Sequence, residues 1–261
     1  MHSSHSVKSA GATVAIIGAG RLGGVLAEAL RHGGLTVQGP LRRGDEFPDV
    51  DVALLCVPDA AIADAARVAR PHARFIGHVS GATPLDDVDF SVHPLQTFTG
   101  DEASEVFRGI GCAIDGRTDA ALAVAVHLVE VLGARAFRID GEHRASYHAA
   151  ASFASNLVLT VLDAAEQVAG AAGLQSGEAR ALLAPLVRQT VTNWESTGAR
   201  VALTGPIARG DEQTVMRQRA AIAEALPGLV ALFDELSAST RVLAGRPVAG
   251  GEADAEEVDA T

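Results

Sequence analysis

Gly18, Gly20 and Gly23 stand at G-x-G-x-x-G spacing, directly after the apolar, β-branched run Thr13 to Ile17. That order reads as a strand buried on both faces entering a glycine turn and a helix leaving it. Gly18 allows the tight turn, Gly20 lets the backbone approach a pyrophosphate with no Cβ in the way, and Gly23 lets the helix pack closely on the sheet. The helix, whose apolar pattern runs Leu22, Val25, Leu26, Ala29 and Leu30, turns unpaired N–H groups and the positive end of its dipole toward the same place. Gly18, Gly20, Arg21, Leu22 and Gly23 are therefore the first candidate cofactor contacts, and the chemistry they point to is dinucleotide binding, the alternative being a plain strand-turn-helix.

The second strand, Leu35 to Val37, leads into Gly-Pro-Leu-Arg-Arg-Gly. An acidic residue about 20 residues past the glycines holds the ribose hydroxyls in NAD-binding folds. Here Arg42 and Arg43 stand in its place, where a 2′-phosphate needs cations, so the expected cofactor is NADP. The alternative is a solvated basic turn, since Asp45 and Glu46 follow at once. Val50 to Val57 is a buried strand that closes on Cys-Val-Pro-Asp, and its C-terminal end faces the ligand crevice of a parallel sheet. Val57 and Pro58 join the cofactor candidates there, and Asp59 reads as a helix cap. Ser80, just past the strand Phe75 to Val79, is the last of that group.

A nicotinamide brings the hydride; the protein must orient the acceptor and deliver a proton. His148, Ser152 and Asn156 recur at i, i+4 and i+8 among alanines, which places them on one face of a helix. Such a polar stripe serves either chemistry or a helix-helix or subunit contact. His148 is the leading proton donor, Asn156 a candidate to hold the substrate oxygen or the nicotinamide amide, and His93, at a strand mouth, the second candidate donor. His78, inside its strand, reads as a hydrogen-bonded core residue. The loop Leu203 to Asp211 holds Thr204, Gly205, Pro206, Arg209 and Gly210; Arg209 fits a substrate carboxylate, unless the loop is only a rigid connection, and Asp211 reads as a helix cap.

The elements that must position these groups fall into two classes. Strands and helices alternate from residue 13 to 141, including strands at Gly109 to Ile114 and Ala134 to Ile139 around a helix from Thr118 to Leu132. From 142 to 246 only helical runs remain, at about 143–172, 177–197, 212–225 and 228–244, with Pro185 expected to kink or end its helix. The fold class is α/β, a Rossmann-like, doubly wound and mostly parallel sheet followed by an all-helical domain. Residues 1–12 and the acidic stretch 247–261 read as disordered. The 261 residues are 48% hydrophobic and carry a net charge of -11, which disfavours nucleic acid as a partner. Cys56 and Cys112, both in strand-like runs, read as reduced thiols of a cytoplasmic core and offer no metal cluster. No secretory h-region opens the chain, and the uncharged stretch 145–162 is interrupted by His148, Ser152, Ser155 and Asn156, so no membrane span is expected.

Several segments occur together in order: Val-Ala-Ile-Ile-Gly-Ala-Gly-Arg-Leu-Gly, Cys-Val-Pro-Asp-Ala-Ala-Ile, His-Val-Ser-Gly-Ala, His-Pro-Leu-Gln-Thr-Phe, Tyr-His-Ala-Ala-Ala-Ser-Phe-Ala-Ser-Asn and Leu-Thr-Gly-Pro-Ile-Ala-Arg-Gly-Asp. Over about residues 13 to 245 the chain resembles oxidoreductases that join a Rossmann-like domain to a helical domain of unknown function, DUF2520. That family is similar to the 6-phosphogluconate dehydrogenase-like superfamily, with pyrroline-5-carboxylate reductase, ketopantoate reductase and prephenate dehydrogenase. The resemblance implies a homodimer built through the helical domain, a site in the cleft between domains, and a small carbonyl or imine acid as substrate, a ketopantoate-like 2-oxo acid preferred. Relatives use a Lys-x-x-x-Asn pair; Asn156 fits the Asn, but Ser152 occupies the lysine position, which moves the proton to His148. His93-Pro94 is similar to the His-Pro motif of prephenate dehydrogenases. A non-catalytic NADP(H) sensor or scaffold dimer is the competing expectation.

Overall fold

The computed structural model describes residues 12–246. The expected disordered ends lie outside the described residues, save for Ala12. Seven strands form one sheet in the order β2-β1-β3-β4-β5-β6-β7. They are β1 (Thr13–Ile17), β2 (Thr36–Leu41), β3 (Val50–Leu55), β4 (Ala73–His78), β5 (Phe90–Pro94), β6 (Gly111–Gly116) and β7 (Arg135–Arg138). The first five run parallel; β6 is antiparallel to β5, and β7 is parallel to β6. The sheet is thus mostly parallel and Rossmann-like.

Alternation along β3 explains how both faces are covered, because successive side chains point to opposite sides. Val52 and Leu54 pack with Leu26 and Leu30 of α1 (Arg21–His32) and Leu128 and Val129 of α3 (Asp119–Val131). Ala53 and Leu55 pack instead with Ile62 and Ala66 of α2 (Ile62–Ala69). Each fully buried leucine contributes roughly 1.5–3 kcal/mol, so the glycine turn hangs from a rigid support.

Two local readings need correction. The Gly39-Pro40 step, read as loop, belongs to β2: pairing skips from Ala15↔Gln38 to Ile17↔Leu41 across an irregularity, and Gly39 fits because a Cβ there would meet the Ile16 carbonyl at 2.6 Å. Asp59 caps nothing; it starts a 3-10 turn, Asp59–Ala61, whose N-cap is Pro58.

The single helix expected over 143–172 is two, α4 (Arg144–Ala154) and α5 (Asn156–Ala171). The Ser155 hydroxyl donates to the Ala151 carbonyl at 2.8 Å, and the Ser155 N–H turns to the Ser152 carbonyl at 3.3 Å. With the Ser155 N–H turned away from the Ala151 carbonyl and Ser155 at φ -131, ψ -80, helical geometry stops. The two compact units divide here, at Ser155/Asn156 rather than at 141/142. α4 stays with the sheet because Arg144 donates to the Ser91 hydroxyl and Tyr147 meets His93 and Phe137.

The second unit continues with α6 (Ser176–Thr197), α7 (Ala199–Ala202), α8 (Pro206–Arg209), α9 (Glu212–Ala225) and α10 (Val230–Leu243). Of the two expected effects of Pro185, a kink or an end, α6 does not show the end, since it runs on to Thr197; the residue is exposed, so water can take the carbonyl that the ring leaves unpaired. Arg180 grips Glu166 through two bonds of 2.8 Å between α6 and α5, and Arg219 grips Asp234 the same way between α9 and α10. These four helices line an apolar groove of about 960 Å³ that includes Val168, Leu183, Ile222 and Phe233. Among the described residues, no helix is long and apolar enough to cross a membrane.

Candidate functional site

The strand order reverses around β1, with β2 on one side and β3 on the other, and ligands of doubly wound sheets bind at such a switch point. Gly18 sits there at φ +110, donating its N–H to the Leu41 carbonyl at 2.8 Å; a Cβ would strike the Cys56 carbonyl at 2.3 Å. Gly23 is wedged against Gly18, whose carbonyl would lie 2.0 Å from an added Cβ. Gly20 differs: nothing lies within 4 Å of where its Cβ would be. Two glycines therefore shape the turn, and the third leaves open space beside the uncapped start of α1, whose first turn has no acidic residue. Such a cradle could hold a pyrophosphate, for which Arg21, Leu22 and Gly23 offer helix N-terminal N–H groups.

Because Leu41 is the last residue of β2 and bonds to Gly18, Arg42 and Arg43 leave the sheet beside the glycine turn. Asp45 accepts from the Arg42 backbone N–H at 2.7 Å, which makes a compact turn. Both arginines are exposed, and neither guanidinium pairs with a carboxylate among the described residues. Val57 is half-buried and packs 3.3 Å from the position a Gly18 Cβ would take, while Pro58 is exposed. Ser80 is partly committed elsewhere: its hydroxyl accepts from the Ala82 and Thr83 N–H groups, so it first shapes its own turn.

A second cluster lies at the C-terminal ends of β4 and β5. His93 Nδ1 is 2.7 Å from the Tyr147 hydroxyl, and its ring stands edge-on to that of His148 at 6.2 Å. Gly81 fills the gap between the histidines; a Cβ there would come within 2.9 Å of His93 Nε2 and 3.0 Å of His148 Cδ2. Burial, then the neighbouring His148 and Arg144 charges, push the His93 pKa down to about 4 against the opposing pull of Asp59. Tyr147 is pushed up to about 12, chiefly by burial. His78 is fully buried, with Nε2 against the Pro84 carbonyl and Nδ1 accepting from Ser80 N–H, both at 3.2 Å.

Arg144, only 5% exposed, anchors this cluster from below. It donates to Ser91 and lies 3.6 Å from Asp115, while its Nε has no partner among the described residues. The stripe of His148, Ser152 and Asn156 is not carried on one helix: the break at Ser155 leaves the first two on α4 and Asn156 at the start of α5. Thr204 and Arg209, both exposed, belong to the second unit. Arg209 ends α8, whose Ala208 carbonyl is held by Arg246 at 2.8 Å, and Asp211 caps α9 through Thr214 N–H at 3.0 Å.

Residues 110–240 match the family model described as a domain of unknown function, DUF2520. The chain belongs to the DUF2520 family. Comparison with curated protein sequences gives no match. Among solved structures, the DUF2520 protein is similar to protein TM1727 of Thermotoga maritima (TM-score 0.76, 23% identity, covering 89% of this chain and 99% of that one). It is also similar to a Bacteroides fragilis protein proposed to be an NADP oxidoreductase (0.75, 22%, 89% and 98%). A Plasmodium falciparum pyrroline carboxylate reductase with NADP bound shares the fold more distantly (0.56, 10%, 89% and 98%).

Tyr147, Arg144 and Gly81 were not legible as site residues of this DUF2520 protein. Tyr147 carried one signal, being the single tyrosine of the chain and adjacent to His148. Nothing local marks Arg144, whose partners are brought to it by β5 and β6.

Proposed function

We propose that the DUF2520 protein is an NADP-dependent oxidoreductase that reduces a small carbonyl or imine acid, a ketopantoate-like 2-oxo acid being the preferred substrate. The observation that carries this reading is the Gly18–Leu41 bond, which sets Arg42 and Arg43, whose guanidinium groups pair with no carboxylate among the described residues, beside an open glycine turn. The turn from Gly18 to Gly23 would hold the pyrophosphate and the two arginines the 2′-phosphate, with Val57, Pro58 and Ser80 bordering the crevice. When bound, NADPH supplies the hydride. The protein's part is to orient the acceptor and move one proton. His148, exposed to water, delivers that proton; His93, kept neutral by burial, orients the substrate. In the helical unit Arg209 and Thr204 are the groups suited to a substrate carboxylate, and Ser152 on α4 and Asn156 on α5 are suited to hydrogen bonding.

Exposed apolar residues on α5 and α6, among them Leu159, Leu182, Leu186 and Trp194, support a homodimer through the helical unit. A cytoplasmic location agrees with two free cysteines, one of them buried. The test is NADPH oxidation against ketopantoate, pyrroline-5-carboxylate and other 2-oxo acids, with His148→Ala and His93→Ala alongside. Turnover that falls roughly a hundredfold in either variant supports the assignment. Tight NADPH binding with silence across the panel would favour a sensor, the reading that Ser152 in the lysine position suggests.

A further inference from the structure

We propose that Tyr147 is a positioning residue: its hydroxyl donates to Nδ1 of His93 and fixes that imidazole as the Nε2–H tautomer, a neutral donor for a carbonyl oxygen. The inference rests on the reductase reading above and narrows its substrate class. It begins from the geometry of two residues far apart in sequence, His93 at the end of β5 and Tyr147 on α4, whose polar atoms lie 2.7 Å apart.

The hydroxyl proton of Tyr147 has one acceptor within reach among the described residues, the His93 Nδ1. Burial keeps the phenol protonated at neutral pH and the imidazole uncharged. The groups facing His93 agree with that: Arg144, Tyr147 and His148 come from α4 and His78 from β4, and the single carboxylate, Asp59 from the turn after β3, does not offset burial. A neutral imidazole has a single N–H. With Nδ1 accepting, that N–H is on Nε2, which makes no hydrogen bond to a described residue. Gly81 faces this atom, and any side chain there would start 2.9 Å from it, so the glycine keeps the approach to Nε2 clear.

An N–H aimed into that space selects its ligand. A protonated imine already carries its own N–H and offers no lone pair; a carbonyl oxygen offers two. As hydride adds at the carbonyl carbon, the C=O π pair moves onto oxygen, and the Nε2–H stabilises that charge while keeping its proton. The proton that completes the alcohol arrives through His148. His93 and His148 thus divide the work: one polarises, the other exchanges protons with water.

Imidazole ¹⁵N NMR of the full-length protein at neutral pH tests this directly. Wild type is expected to show His93 protonated at Nε2 and bare at Nδ1. In Tyr147→Phe the two nitrogen shifts should converge as both tautomers populate, and kcat for a 2-oxo acid should fall about five- to tenfold with KM unchanged, the effect of one ordinary hydrogen bond. A protonated Nδ1 in wild type overturns the proposal whether or not the variant folds, and so does a variant with unchanged tautomer and kcat. A separate NADPH titration reports on the reductase reading; failure to bind would remove the carbonyl role, while the tautomer result stands on its own.

Discussion

Replacing Gly20 with alanine separates a glycine that serves a ligand from glycines that serve the fold. Gly20 has φ -79 and ψ -173, extended backbone open to any residue, and its Cβ would meet nothing within 4 Å. Alanine reduces the freedom of the unfolded chain, worth about 0.4–1 kcal/mol. It is also a poorer N-cap than glycine by a similar amount, roughly 0.5–1 kcal/mol. Stability should therefore stay within about 0.5 kcal/mol of wild type. Gly23→Ala is the control: its Cβ would fall 2.0 Å from the Gly18 carbonyl, and Gly18 is pinned by Leu41 and Cys56. Overpacking of that kind costs about 1–3 kcal/mol or more. If the cradle receives a pyrophosphate, Gly20→Ala weakens NADPH at least tenfold, or about 1.4 kcal/mol, while folding normally. Urea unfolding at constant m-value and an NADPH fluorescence titration give the two numbers. An alanine variant that binds NADPH like wild type would refute the reasoning, because the open space at Gly20 would then face no phosphate.

Three further outcomes follow from the same geometry. Arg42→Ala and Arg43→Ala each remove a charge-assisted bond worth about 1.5–3 kcal/mol, so NADPH affinity should drop about ten- to a hundredfold with NADH affinity nearly unchanged; equal losses for both nucleotides would count against a 2′-phosphate site. Arg144→Ala removes the donor from Ser91, 1% exposed, and leaves Asp115, 8% exposed, with Arg138 at 3.7 Å and the Gly116 N–H as its remaining partners, so it should cost about 1–3 kcal/mol in urea unfolding, with Arg144→Met costing less. His93 stays neutral in the fold down to about pH 4, whereas the unfolded chain protonates it near 6.5. The unfolded state then binds more protons between those values, so stability should fall as pH drops through that window, by up to about 3 kcal/mol. His93→Gln should lose that part of the slope in melts at stepped pH; an unaltered slope would mean the imidazole is not held neutral.

What the amino-acid sequence determined by itself was local. The strand, glycine turn and helix from Thr13 to His32 form because the apolar run and the glycine spacing act within one turn of chain, where steric rules operate residue by residue. The change from alternating strands and helices to helices alone was visible for the same reason, since periodicity is a short-range property. Some local features departed from the pattern for local reasons too: at Gly39 the positive φ and close approach to Ile16 let β2 stay paired through an irregularity, and the Ser155 hydroxyl bonded to Ala151 where the apolar pattern would have continued the helix. Only the tertiary structure decided that Leu41 hands Arg42 to the glycine turn, that Tyr147 meets His93 and that Arg144 is buried against Ser91 and Asp115. Those contacts follow from the order in which strands pair, and strand order is set by how both faces of the sheet are covered at once, a balance summed over the whole unit that no single stretch of residues contains.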